Sequence, residues 1–237
     1  MNRRAFNTFQ LSIVTLVGVS LMSRAMALSL DDLGEVDATK GLKAALDKGA
    51  ASAIALLGAK DGFLGNEKVR IPLPGYFEQA AGVMRTFGLG DRIDELVTAM
   101  NRGAEAAVPK ARDLMVKAVN TMTVQDAKGI LSGGDTAVTT YFESKTRADL
   151  TTQFLPIVTT ATSKVGLADK YNQLAGKASG MGLVKPEDAN IERYVTTKAL
   201  DGLFFTIGEE EKKIRQNPVA YGSSILTKVF GSLRIPN

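Results

Sequence analysis

Apolar residues recur at three- and four-residue steps along nearly the whole chain, and that spacing leaves little room for anything but packed helices. Ile191, Val195, Ala199, Leu203 and Ile207 step by four, and Leu200 and Phe204 broaden the same face. Ile93, Leu96, Val97, Met100, Ala104 and Ala107 form a second stripe, with Asp94, Glu95, Asn101, Arg102 and Glu105 off it. Leu114, Met115, Ala118, Val119 and Met122 continue beyond Pro109, which either starts a new helix or kinks the old one. Each stripe is the buried face of one amphipathic helix, and it needs other helices to cover it.

Turn and cap residues divide the stripes into about eight helices. Thr123-Val124-Gln125-Asp126 resembles a capping box, with aspartate in place of the usual Glu or Gln. Gly88-Leu89-Gly90-Asp91 and Gly133-Gly134-Asp135 each read as a helix stop followed by an aspartate N-cap. Lys185-Pro186-Glu187-Asp188 and Gln216-Asn217-Pro218 mark two further boundaries. The exception is a Pro/Gly-rich stretch at about residues 60–74, where Gly62, Gly65, Pro72 and Pro74 forbid a continuous helix. Residues 69–73 suit a short extended piece, which Pro72 limits to an edge strand at best. No polar linker or fixed-period repeat splits the chain. The expectation is an all-α, single-domain multi-helix bundle over residues 28–237 with one irregular loop.

Residues 1–27 read as a cleavable export signal. Arg3 and Arg4 supply a basic start, residues 11–22 an uncharged, mostly apolar core, and Ala25-Met26-Ala27 the small residues before a cut at Leu28. That core is shorter than the roughly 20 apolar residues needed to span a bilayer, so no stable transmembrane anchor is expected after cleavage. Asn2-Arg3-Arg4-Ala5-Phe6 also resembles a twin-arginine signal, and an ordinary signal with two adjacent arginines remains the alternative. The expected location is the periplasm. The chain has 29 basic and 25 acidic residues; loss of Arg3, Arg4 and Arg24 with the signal leaves a mature charge of +1. A nearly neutral protein gives no composition-level case for nucleic acid or an anionic membrane. Nor does any mature helix pair a basic face with a wide apolar one.

The chain contains no cysteine, histidine or tryptophan. Disulfides are therefore impossible, although an exported protein could form them. Ser-His-Asp and Cys-His mechanisms are excluded, and so are ordinary zinc and copper sites. Oxygen-ligand metal binding, carboxylate acid–base work and Lys or Tyr roles remain open.

Among the polar candidates, Gly133-Gly134-Asp135 could offer helix amides to an anion, but Asp135 in the cap would repel one. Glu209-Glu210-Glu211 invites a metal or acid–base reading. Successive helical residues turn by about 100°, so these three carboxylates fan apart. Lys212, Lys213 and Arg215 then suit a solvated, salt-bridged face. Lys198, Asp201, Phe205 and Glu209 share another stripe, on which Asp201 and Glu209 lie about 12 Å apart along the axis. That is beyond the usual spacing of a glycosidase acid pair. A buried Asp201 paired with Lys198 or with a helix terminus is the plainer expectation. Arg102 and Glu105 form an i,i+3 pair read as surface ion pairing. Tyr141, Tyr171 and Asn172 could line a polar pocket or satisfy buried backbone groups. The oxygen ligands of residues 61–67 raise calcium, but they lack the spacing of an EF-hand loop.

Several of these segments carry a resemblance. Asp61-Gly62-Phe63, Ile71-Pro72-Leu73-Pro74, Met100-Asn101-Arg102 with Glu105 and Pro109, and Gly133-Gly134-Asp135 with Tyr141-Phe142 contribute to it. So do Phe154 with Pro156, Tyr171-Asn172, and above all Tyr194-Val195-Thr196 through Lys198-Ala199-Leu200-Asp201-Gly202-Leu203-Phe204 to Glu209-Glu210-Glu211 and Asn217-Pro218. The chain resembles, from about residue 41 to 230, an exported bacterial family of uncharacterised all-helical proteins, domain of unknown function 4197. The likeness implies location and extent, and no mechanism.

Two functions follow. The first is a non-catalytic binding or protein-interaction role in the cell envelope, toward an envelope protein or a small apolar ligand, with no cofactor. Arg102, Glu105, Asp135, Tyr141, Tyr171, Asn172, Tyr194, Asp201 and Glu209 are its candidate binding residues. The second is a carboxylate-based enzyme, with a hard metal ion as an option, working through Asp201, Glu209, Glu105 and Tyr194.

Overall fold

The apolar stripe near the C-terminus forms the centre of the molecule. The computed structural model describes residues 35–217; the segment at residues 1–27 that is expected to be an export signal, and Pro218 of the expected C-terminal boundary, lie outside them. The last described helix, α8 (Ile191–Gln216), opens on Asn190, whose side-chain oxygen accepts from the Arg193 N–H at 2.9 Å. Ile191, Val195, Ala199 and Leu203 are wholly buried, and Ile207 nearly so. Two long helices flank it: α1 (Glu35–Gly58) and α6 (Ala137–Thr162). Ser52 meets Glu210 and Gly49 faces Ile214, so α1 runs antiparallel to α8. Arg147 meets Asp201 and Thr162 meets Glu192, so α6 does too.

Around this centre lie α2 (Gly75–Thr86), α3 (Gly90–Ala107), α4 (Ala111–Thr121), α5 (Val124–Ser132) and α7 (Gly166–Gly180). Pro109 sits in a 3₁₀ turn, Val108–Lys110, that joins α3 to α4. A ring nitrogen without a hydrogen is tolerated there because the first turn of a helix has no intrahelical acceptor to satisfy. The second stripe packs as expected, with Ile93, Leu96, Met100, Ala104 and Ala107 wholly buried and Val97 nearly so. The capping box at Thr123 is complete: the Thr123 hydroxyl accepts from the Asp126 N–H at 3.1 Å, and Asp126 accepts from the Thr123 N–H at 3.0 Å. The architecture is an all-α multi-helix bundle, with no strand among the described residues. No described helix is long and apolar enough to cross a membrane.

Three local expectations need correction. The cap positions of α3 and α6 belong to Leu89 and Thr136, not to Asp91 and Asp135, and neither has a side-chain cap hydrogen bond. Gly88 does stop α2, at φ +78°, a backbone that glycine adopts without steric cost. The third correction concerns residues 69–73, which form no strand. Their backbone groups are taken by side chains from α3 and α8, which also fix the candidate site.

Candidate functional site

Residues 59–74 connect α1 to α2 without regular structure, yet they belong to the core. Phe63 and Ile71 are essentially inaccessible, and Val69 and Leu73 are buried. Such a segment carries backbone N–H and C=O groups into a dry interior, and each must find a partner. Asn101 of α3 supplies two of them. Its side-chain oxygen accepts from the Ile71 N–H at 2.9 Å, and its amide nitrogen donates to the Ile71 carbonyl at 2.9 Å and the Val97 carbonyl at 2.8 Å.

One turn along α3, Glu105 accepts from the N–H groups of Phe63 and Leu64, both at 3.1 Å. Its second oxygen pairs with Arg102 at 2.6 Å, and Arg102 reaches Asp61 at 2.8 Å. Glu105, then Asp61, hold the Arg102 guanidinium above its ordinary value. Asp61 adopts φ +65°, which turns the chain out of α1. The expected surface pair is thus corrected: Glu105 is buried, and it fastens the loop through backbone amides that sequence spacing does not reveal.

The loop closes on α8 at Gly202, where an added Cβ would stand 2.8 Å from the Phe63 ring and 3.3 Å from Val69. Tyr194 adds the last fastening by donating to the Pro72 carbonyl at 3.1 Å. Between this pinned strip and α8 lies an open groove of about 410 Å³. Lys68, Arg70 and Pro72 line one wall; Tyr194, Lys198, Asp201 and Phe205 line the other. The floor is Val69, Ile71 and the backbone at Gly202.

Electrostatically the groove favours anions. Asp201 is paired with Arg147 at 2.9 Å and Lys198 at 4.0 Å. Arg147 also meets Glu143 at 2.7 Å. Glu209, further along the stripe, meets Lys212 at 3.1 Å and Lys68 at 3.7 Å, and those cations hold it below the ordinary carboxylate value. Arg70 is exposed and makes no ion pair among the described residues. The Asp201 side chain is 44% exposed, so the expectation of a buried acid is also corrected; its main partner comes from α6, not from its own helix.

Of the sequence candidates, Tyr194 and Asp201 meet in the groove, with Glu209 beside it through Lys68. Arg102 and Glu105 sit behind it as the clamp. The others lie elsewhere. Tyr171 donates to the Asp188 carbonyl and bonds to the Tyr76 hydroxyl. Asn172 accepts from the Ile191 N–H at 2.8 Å and donates to Glu192 at 2.9 Å. Tyr141 donates to the Ala118 carbonyl at 2.8 Å. Asp135 stands in the loop before α6. Arg70 and Lys68 escaped sequence reasoning, although their alternation with Val69 and Ile71 marks one outward and one inward side.

Glu210 and Glu211 are buried, so the acidic run is not a solvated face. Its carboxylates do fan apart. Glu210 takes Ser52 at 3.0 Å and Lys213 at 2.6 Å; Glu211 takes Arg215 at 2.8 Å. Burial pushes the Glu211 carboxyl up, against the pull of Arg215. A small, partly open pocket beside Glu211 has a volume of about 20 Å³, room for about one water.

Burial pushes the Tyr194 hydroxyl up to about 12, and burial with the Tyr76 contact pushes Tyr171 up further. An unfolded tyrosine ionises near pH 10. The contribution of both groups is therefore complete below about pH 10 and is lost as pH rises through the folded values. Thermal melts should show the midpoint falling between about pH 10 and 12, and falling less in Tyr194→Phe. An equal fall in that variant would detach the effect from Tyr194.

Among the described residues, no three Asp or Glu side chains gather as cation ligands. Residues 32–231 match the family described as "Protein of unknown function (DUF4197)". No curated protein and no protein of solved structure matches the chain.

Proposed function

This chain belongs to the DUF4197 family, and we propose that it is a non-catalytic binding protein of the cell envelope, exported by residues 1–27 and holding its partner in the groove between residues 68–72 and α8. The observation that carries this reading is the pinned wall. Three side chains, Asn101, Glu105 and Tyr194, satisfy the backbone of an irregular loop so that its outer side is fixed before anything binds. A wall ordered in advance loses little entropy on binding, which is what a recognition surface requires. The carboxylate-enzyme reading needs acids that face one another. Here Asp201 faces Arg147 and Lys198, Glu209 faces Lys212 and Lys68, and Glu105 holds two amides.

Site-specific photo-crosslinking in the native cell tests the proposal. A benzophenone amino acid replaces Phe205 in the groove or Leu174, an exposed apolar residue of α7. Adducts that form at position 205 well above those at 174, and that vanish on Arg70→Glu, support it. Equal adduct yields at the two positions overturn it.

A further inference from the structure

We infer that the occupant of the groove is an acidic, extended protein segment carrying one bulky apolar side chain, a conclusion that rests on the binding role proposed above. Three observations converge. The lining presents Lys68, Arg70 and Lys198 against the single acid Asp201, whose near partner is Arg147 at 2.9 Å, with Lys198 only at 4.0 Å. Arg70 thus offers a planar fork of donors, which suits a carboxylate, without a described partner.

Next comes the apolar element. Phe205 is 45% exposed in the midst of these cations. A large aromatic ring left half in water in a lining shared with Pro72 and Ile71 gains by being covered, at roughly 25 cal/mol per Å² of apolar surface. Its neighbours on the stripe are charged, so the covering group needs acids beside an apolar side chain.

Shape completes the case. The groove runs from Tyr194 to Phe205 along α8, about 16 Å at the helical rise. That length matches about five residues of extended chain. Lys68 is 70% exposed on the rim, so the groove is open along one side. An open, elongated trough fits a protein segment better than a small molecule, whose sites typically enclose most of the ligand. In the occupied groove, carboxylates of the segment meet Lys68, Arg70 and Lys198 while its apolar side chain covers Phe205.

Fluorescence polarisation on the full mature chain tests the inference with two labelled heptapeptides. One alternates Glu with Leu and Phe; the other has Gln at every Glu. The acidic peptide should bind at least about 10-fold tighter than its Gln counterpart, and added salt should weaken it. Lys68→Gln/Arg70→Gln/Lys198→Gln should lower its affinity about 10-fold, as should Phe205→Ala. Circular dichroism melts confirm that the variants fold, and the single Arg70→Gln replaces the triple variant if that one melts early.

Equal binding of both peptides, lost on Phe205→Ala, overturns the acidic class and leaves the groove as the binding site. Binding of anionic phospholipid vesicles, lost in the triple variant, with neither peptide bound, overturns it in favour of a lipid headgroup. Binding of no probe overturns it as well, and the crosslinking yield at Phe205 then decides separately whether the groove binds anything.

Discussion

Asn101→Leu is expected to lower stability by about 4 kcal/mol, because it strands two buried backbone groups that each cost about 1–3 kcal/mol when unpaired. Asn101 is wholly buried, and so is the Ile71 unit whose N–H and C=O it satisfies. The Val97 carbonyl loses less, since it also serves its own helix. For a domain of this size the thermal midpoint should fall by about 8–16 °C. Asn101→Asp should do no better: it keeps an acceptor for the Ile71 N–H but removes the donor and buries a charge. Guanidinium titration of both variants checks the magnitude. A loss below about 1 kcal/mol would mean that water replaces the amide and that the groove wall is not pinned as described.

Gly62→Ala should be nearly as damaging, for a steric reason. An added Cβ would lie 2.5 Å from the carbonyl oxygens of both Leu56 and Leu57. Those atoms are backbone in the last turn of α1, so they can move only by unwinding it. The expected cost is about 3 kcal/mol, at the upper end for overpacking. Gly202→Ala provides the comparison. There the nearest obstacle, at 2.8 Å, is the ring of Phe63, a side chain that can tilt slightly, and the cost should be about half as large. Chemical denaturation of the two variants ranks them; a smaller loss at Gly62 would refute the backbone clash.

The contrast between Asn101 and Ile191 shows where sequence reasoning stops. Ile191, Val195, Ala199 and Leu203 repeat at helical spacing, so the burial of their face follows from local periodicity, and the structure agrees. Thr123 and Asp126 are three residues apart, and their reciprocal cap is equally local. The long helix α6 continues through Pro156, which its own sequence does not announce. Asn101 and Glu105 sit on the polar side of their stripe, and nothing nearby says that a loop 30 to 42 residues away covers them. Asp201 finds Arg147 at a separation of 54 residues. Glu210 and Glu211 fan apart as helical geometry requires, but burial by α1 and α6 depends on the packing of three helices. Properties set within one helix were legible, and those set by long-range pairing were not. The groove belongs to the second kind. Tyr194 and Asp201 were recognisable as polar positions on one helix, but the wall that faces them comes from residues 68–72.

Most surface connections tolerate added or missing residues, because lengthening a flexible loop costs only a few tenths of a kcal/mol. The segment between α1 and α2 should not. Ile71 hands both its backbone groups to one side chain, while Phe63 and Leu64 are held by another a turn away on the same helix. Between those two grips the chain has a set number of residues, and one more or one fewer would rotate Val69 outward and Arg70 inward. The length of this stretch should therefore be as invariant among homologous chains as the spacing within a helix, with insertions falling at the α2–α3 and α7–α8 turns instead.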